Sequence, residues 1–100
     1  MKYSIRTDGA ERIAVIDGDL GLVNYRDFMG LMTELFSVKT TAYAVDLAGV
    51  SSIDSSGLGN LLAARKRADE LGATFSLCNV GGFVKQTLHH ADFAKMFIIK

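Results

Sequence analysis

Between Tyr43 and Cys78 the chain changes periodicity twice, and that change limits what it can fold into more than any other feature. Tyr43-Ala44-Val45-Asp46-Leu47 is a short apolar run of the kind that forms a central strand. Ser51-Ser52-Ile53-Asp54-Ser55-Ser56-Gly57 then supplies a cluster of helix-capping residues. Leu58, Leu61, Ala64, Ala68 and Leu71 follow at helical spacing, and Gly72 stands where a helix commonly stops. Thr74 to Cys78 reads as a further strand.

The flanks extend the pattern. Lys2 to Arg6 alternates, with Tyr3 and Ile5 on one side, and Ile13 to Ile16 is an apolar run closed by Asp17-Gly18-Asp19. A helix over about 25–36 is expected from Phe28, Leu31, Met32 and Leu35. Its start carries three local signals: Asn24 as N-cap, Asp27 three residues on, and a Val23–Phe28 hydrophobic staple. Phe83 to Leu88 suits a short helix and Met96 to Ile99 a last strand. Strands alternating with helices imply an α/β sandwich: a mixed, mainly parallel sheet of about five strands with helices packed on it.

The 100 residues fit one domain, 1–100, with a single core. An apolar fraction of 49% beside 22% charged residues places the chain among globular proteins rather than disordered ones. Eleven acids balance eleven bases, so charge provides no case for nucleic acid or anionic lipid. No run nears the roughly 18 apolar residues of a membrane span, and Met1 to Arg6 lacks the apolar block of a signal peptide. The lone Cys78 sits in an apolar run and reads as a buried small hydrophobe, not a reactive thiol. A cytoplasmic protein without direct membrane contact is expected.

The chemistry concentrates in Asp54-Ser55-Ser56-Gly57-Leu58-Gly59. A helix N-terminus offers unpaired N–H groups and the positive end of the dipole, which favour an anion such as a phosphate. Gly57 and Gly59 would let another backbone approach closely. Plain capping by Asp54, Ser55 or Ser56 is the simpler account of the same residues.

These six residues, preceded by a strand ending in Asp46-Leu47 and by Ile53, resemble the signature of bacterial anti-sigma factor antagonists, which are STAS domains. The similarity continues through Asp69 to Leu77 and, more weakly, through Val84, Leu88 and Phe93 to Ile99. The resemblance implies a STAS-like fold and a regulator without cofactor or catalytic residues. In that family the serine after the aspartate is phosphorylated by a partner that is both kinase and anti-sigma factor, and a phosphatase resets the switch. By position that serine is Ser55, and the partner-binding surface comprises Asp54, Ser56, Gly57, Leu58, Asp19 and Asn24. Many relatives carry an aspartate after the Gly-acid-Leu turn, where this chain has Gly21 after Gly18-Asp19-Leu20. Asp19 and Asn24 are the nearby residues available for that carboxylate's role; each also suits a turn or a cap.

The resemblance implies a protein, monomeric when free, that binds its partner unphosphorylated and releases it when Ser55 carries phosphate. Phosphorylation adds about −1.5 to −2 charge. An unpaired charge in an interface costs about 2–5 kcal/mol, a roughly 30- to several-thousand-fold loss of affinity. STAS domains also serve as accessory subunits of membrane transporters, and that is the alternative role. An enzyme is poorly supported: Ser55 lacks the Gly-x-Ser-x-Gly elbow of a serine hydrolase, and no Walker loop is present. His89-His90 reads as a solvated helix end rather than a metal site, and Lys66-Arg67 as a solvated face.

Overall fold

The computed structural model describes residues 1–90 and 92–100. Five strands, β1 (Lys2–Asp8), β2 (Glu11–Asp17), β3 (Ala42–Gly49), β4 (Thr74–Cys78) and β5 (Ile98–Ile99), form one sheet in the order β1-β2-β3-β4-β5. The β1–β2 pair is antiparallel and the other three are parallel, so the sheet is mixed and mainly parallel as expected. Gly9, at φ +62°, opens the two-residue hairpin between β1 and β2, a place where a side chain would be strained.

Three helices, α1 (Tyr25–Leu35), α2 (Ser55–Glu70) and α3 (Gly82–His90), form the crossovers between the parallel strands. Crossovers share one preferred hand, and here the strand order never reverses, so all three helices fall on the same face. Phe28, Leu31 and Leu35 of α1, Leu58, Leu61, Ala64 and Ala68 of α2, and Val84 and Leu88 of α3 join one core with Ala14, Ile16, Tyr43, Val45, Leu47, Phe75 and Leu77 of the sheet. The reverse face holds Ile13, Ala44, Ser76 and Asp46, all buried. Lys100 Nζ on Glu11 Oε2 (3.0 Å) and Arg6 beside Asp46 (3.9 Å) reach across it. Asp46 also accepts from Ala48 N–H (2.9 Å) and from Asn79 Nδ2 (2.9 Å), which satisfies its buried carboxylate.

α2 stops where Gly72 predicts. Gly72 has φ +71°, its N–H donates to Asp69 O, and Ala73 N–H donates to Ala68 O. This pair of bonds is the Schellman motif.

The start of α1 corrects the local reading. Asn24 makes no capping bond with its side chain; its Nδ2 donates instead to Asp19 O (2.6 Å). The Asn24 N–H, which a capping box would give to Asp27, goes to Gly21 O. Val23 is 96% exposed while Phe28 is buried, so no staple forms. A 3₁₀ turn at Leu22–Asn24 inserted before α1 swings these side chains away from the first helical turn. The last strand is likewise shorter than expected, since Phe93–Met96 forms a 3₁₀ turn. Cys78 is half-buried rather than buried; burial first, and then the charge of Asp46, raise its pKa, which keeps the thiol protonated and inert.

Candidate functional site

The parallel pairing of β2 with β3 continues past the ends of both strands. Gly18 N–H donates to Gly49 O (3.0 Å), Leu20 N–H to Ser52 O (3.0 Å), and Asp54 N–H to Leu20 O (3.2 Å). The β2–α1 and β3–α2 loops are therefore stitched together at the carboxyl ends of the strands, where open α/β sheets generally present their sites.

Asp54 is the N-cap of α2, in extended backbone geometry, and its Oδ1 accepts the Gly57 N–H (2.8 Å). Its Oδ2 accepts the Leu22 N–H from the neighbouring loop (3.2 Å). The bond from Gly57, and then that from Leu22, hold the Asp54 carboxyl below its usual pKa, because both favour the charged form. Asp19 is lowered as well, by the hydroxyls of Ser51 and then Ser52, with Ser51 Oγ only 2.6 Å from its Oδ1.

Ser55 occupies the first position of α2 and is exposed, whereas Ser56 is partly covered. Among the described residues, the Ser55 hydroxyl makes no hydrogen bond, and the capping is done by Asp54.

Gly57 and Leu58, expected at the partner-binding surface, face inward in the free chain. Leu58 is in the core. A Cβ on Gly57 would stand 2.2 Å from Leu20 O and 2.8 Å from the Ile53 side chain, so its bareness serves the crossing of α2 over the β2 end. Gly59 meets nothing within 4 Å and does leave the backbone open. Asp19, Asn24, Asp54 and Gly21 border one concavity of about 490 Å³, together with Leu22 and Val23.

Those two aliphatics line the concavity, and sequence reasoning does not single out either of them for it. Leu22 is 68% and Val23 96% exposed on the turn beside Asp54, an uncommon cost for adjacent large apolar side chains. The signal available in the sequence is Val23 itself, an apolar residue whose spacing to Phe28 also suits an intramolecular staple.

Residues 4–100 match the family described as "Mlab, STAS domain". A STAS-domain containing protein of Pseudomonas aeruginosa is 33% identical over 92 residues, covering 92% of this chain and 90% of that protein. An anti-sigma factor antagonist from Mycobacterium paratuberculosis has the same fold, with a TM-score of 0.86 at 16% identity over 98% of this chain and 83% of that one. So does a sulfate transporter family protein from Wolinella succinogenes, with a TM-score of 0.77 at 14% identity over 94% and 80% of the two chains. A mixed sheet with every helix on one face, a capped helix start carrying an exposed serine, and a family match over nearly all residues agree: the chain belongs to the STAS-domain family.

Proposed function

We propose that this protein is a phosphorylation-controlled partner switch of the anti-sigma factor antagonist type, a substrate and binding module rather than an enzyme. Unphosphorylated, it binds a kinase-type anti-sigma factor or similar regulator in the cytoplasm. Phosphate on Ser55 releases that partner, and a phosphatase restores binding. The observation that carries this reading is the division of labour at α2: Asp54 caps the helix, which leaves the adjacent Ser55 hydroxyl exposed and unbonded among the described residues. The neighbouring Leu22 and Val23 provide apolar contact, and Asp19, Asp54 and Asn24 a polar rim.

Phosphopeptide mapping of protein from cells with and without the cognate kinase tests the assignment. Phosphate on Ser55 is expected, and phosphate found only on Ser52 or Ser56 would refute it.

The likeness to a transporter-family protein supports a second reading, an accessory subunit of a membrane transporter. Affinity capture of the wild type and Ser55→Ala separates the two. A kinase-type regulator held by both forms supports the switch, whereas a transporter ATPase held regardless of Ser55 supports the accessory role.

A further inference from the structure

β1 is an edge strand of seven residues with no proline, and the other edge, β5, has only two. Its hairpin with β2 is closed by the pair Asp8↔Glu11 around two loop residues. In a two-residue hairpin the closing pair is a hydrogen-bonded one, and the pairs alternate from there, so the even-numbered residues of β1 direct their backbone groups at β2. The backbone groups of Tyr3, Ile5 and Thr7 therefore point outward, with no strand among the described residues to receive them.

Edge strands are commonly guarded by charge. Here the charges have mixed sign: Lys2 and Arg6 against Asp8, all exposed, on the sheet face away from the helices. An antiparallel pairing of two copies about Ile5 sets Lys2 opposite Asp8 of the second copy, twice by symmetry, and Ser4 opposite Arg6. Shifting the register by two residues sets Lys2 opposite Arg6 in one direction and Arg6 opposite itself in the other. Opposite charges across a strand pair stabilise it and like charges oppose it, so the charge pattern admits one register and rejects its neighbours. The apolar side is compatible too, since the two-fold axis brings the half-buried Ile5 against its counterpart.

We infer that a second copy of this chain is the occupant of the β1 edge, and that, in place of the free monomer the resemblance implies, the protein forms a symmetric dimer through antiparallel β1 strands centred on Ile5. The sheet becomes continuous over ten strands, and the site at Ser55 remains outside the seam. A single strand pair buries little surface, so the association is weak, with a dissociation constant on the order of 100 μM. This inference is independent of the switching role, because it concerns a different edge of the molecule.

The test is sedimentation equilibrium of the purified full chain, together with amide NMR over the same concentrations. A mass rising from one protomer toward two is expected, with concentration-dependent shifts at the Tyr3, Ile5 and Thr7 amides. Lys2→Glu and Asp8→Lys should each weaken association about fivefold, and the two combined should restore it. Thr7→Pro removes an outward N–H at a position where an edge tolerates proline, and should abolish association while the domain still melts cooperatively. A protomer mass that stays constant up to about ten times the expected dissociation constant would overturn the inference. So would association that leaves the β1 amides unmoved, a charge swap that fails to rescue, or growth beyond dimers, the mark of heterologous pairing between β1 and β5.

Discussion

The carboxylate of Asp54 fills the space in which a side chain on Gly21 would stand: an added Cβ would lie 2.5 Å from Oδ2 and 2.8 Å from the carboxyl carbon. The backbone of Gly21 is extended (φ −168°, ψ −165°), a conformation open to any residue, so space rather than torsion keeps this position bare. A side chain at this position would require the Asp54 carboxylate to shift from its present place. Asp54 instead reaches across to the Leu22 N–H and fastens the turn bearing Leu22 and Val23 to the start of α2.

Gly21→Ala should therefore destabilise the fold by about 1–3 kcal/mol, the usual range for overpacking. In Asp54→Ser the cap survives on a shorter side chain, and the alanine then has room. A double-mutant cycle by thermal or urea unfolding should show the pair losing less than the sum of the singles. Strict additivity would mean that the two residues do not compete for the same space.

The two glycines of α2 should respond oppositely. Gly57→Ala drives a Cβ into Leu20 O and the Ile53 side chain, and is expected to cost about 1–3 kcal/mol or more. Gly59→Ala meets no neighbour and replaces glycine inside a helix, a gain of about 0.5–1 kcal/mol. Urea midpoints for the two variants decide this, and loss of stability in both would contradict the packing described.

Acid should loosen this end of the molecule first. The bonds from Gly57 and Leu22 lower the Asp54 pKa in the folded state, and Ser51 and Ser52 lower that of Asp19. A carboxylate depressed on folding contributes stability above its unfolded value, and that contribution is lost as pH falls through the folded one. The melting temperature should be level down to about pH 5 and fall below about pH 4, and Asp54→Asn should flatten the fall. Thermal melts across this range, wild type against variant, provide the comparison; an unchanged acid limb in Asp54→Asn would exclude Asp54 as a source.

Phosphate on Ser55 should affect binding far more than folding. It sits at the positive end of the α2 dipole, where an exposed anion gains about 0.3–1 kcal/mol, and repulsion from Asp54 opposes that gain. Water screens both charges in the free domain, so the melting temperature should move by only a few degrees. In a complex the same group loses its water, and partner affinity should fall about tenfold or more. Calorimetric melting and titration of stoichiometrically phosphorylated protein measure both effects. A large loss of stability would mean that the switch unfolds the start of α2 instead.

Leu22→Ser and Val23→Ser should leave stability within about 0.5 kcal/mol, because both side chains already stand in water. Each should weaken binding to the captured partner, measured by titration calorimetry. Undiminished affinity in both would remove this turn from the docking surface.

The order of strands and helices, the buried stripe Leu58-Leu61-Ala64-Ala68 and the stop at Gly72 are all legible in the amino-acid order. Each depends on periodicity or on bonds spanning a few residues, so a short window of chain contains all the partners involved. Asn24 shows where that ends. Its local signals favour a cap, but only the folded chain places Asp19 O within reach of its Nδ2, and the competing bond takes it. Packing of distant segments likewise leaves Val23 in water, and it brings Leu20 O across the β2–β3 seam to where only a bare Gly57 fits. The fit of Asp54 against Gly21 joins residues 33 positions apart and is a matter of tenths of an ångström, which no spacing in the chain encodes.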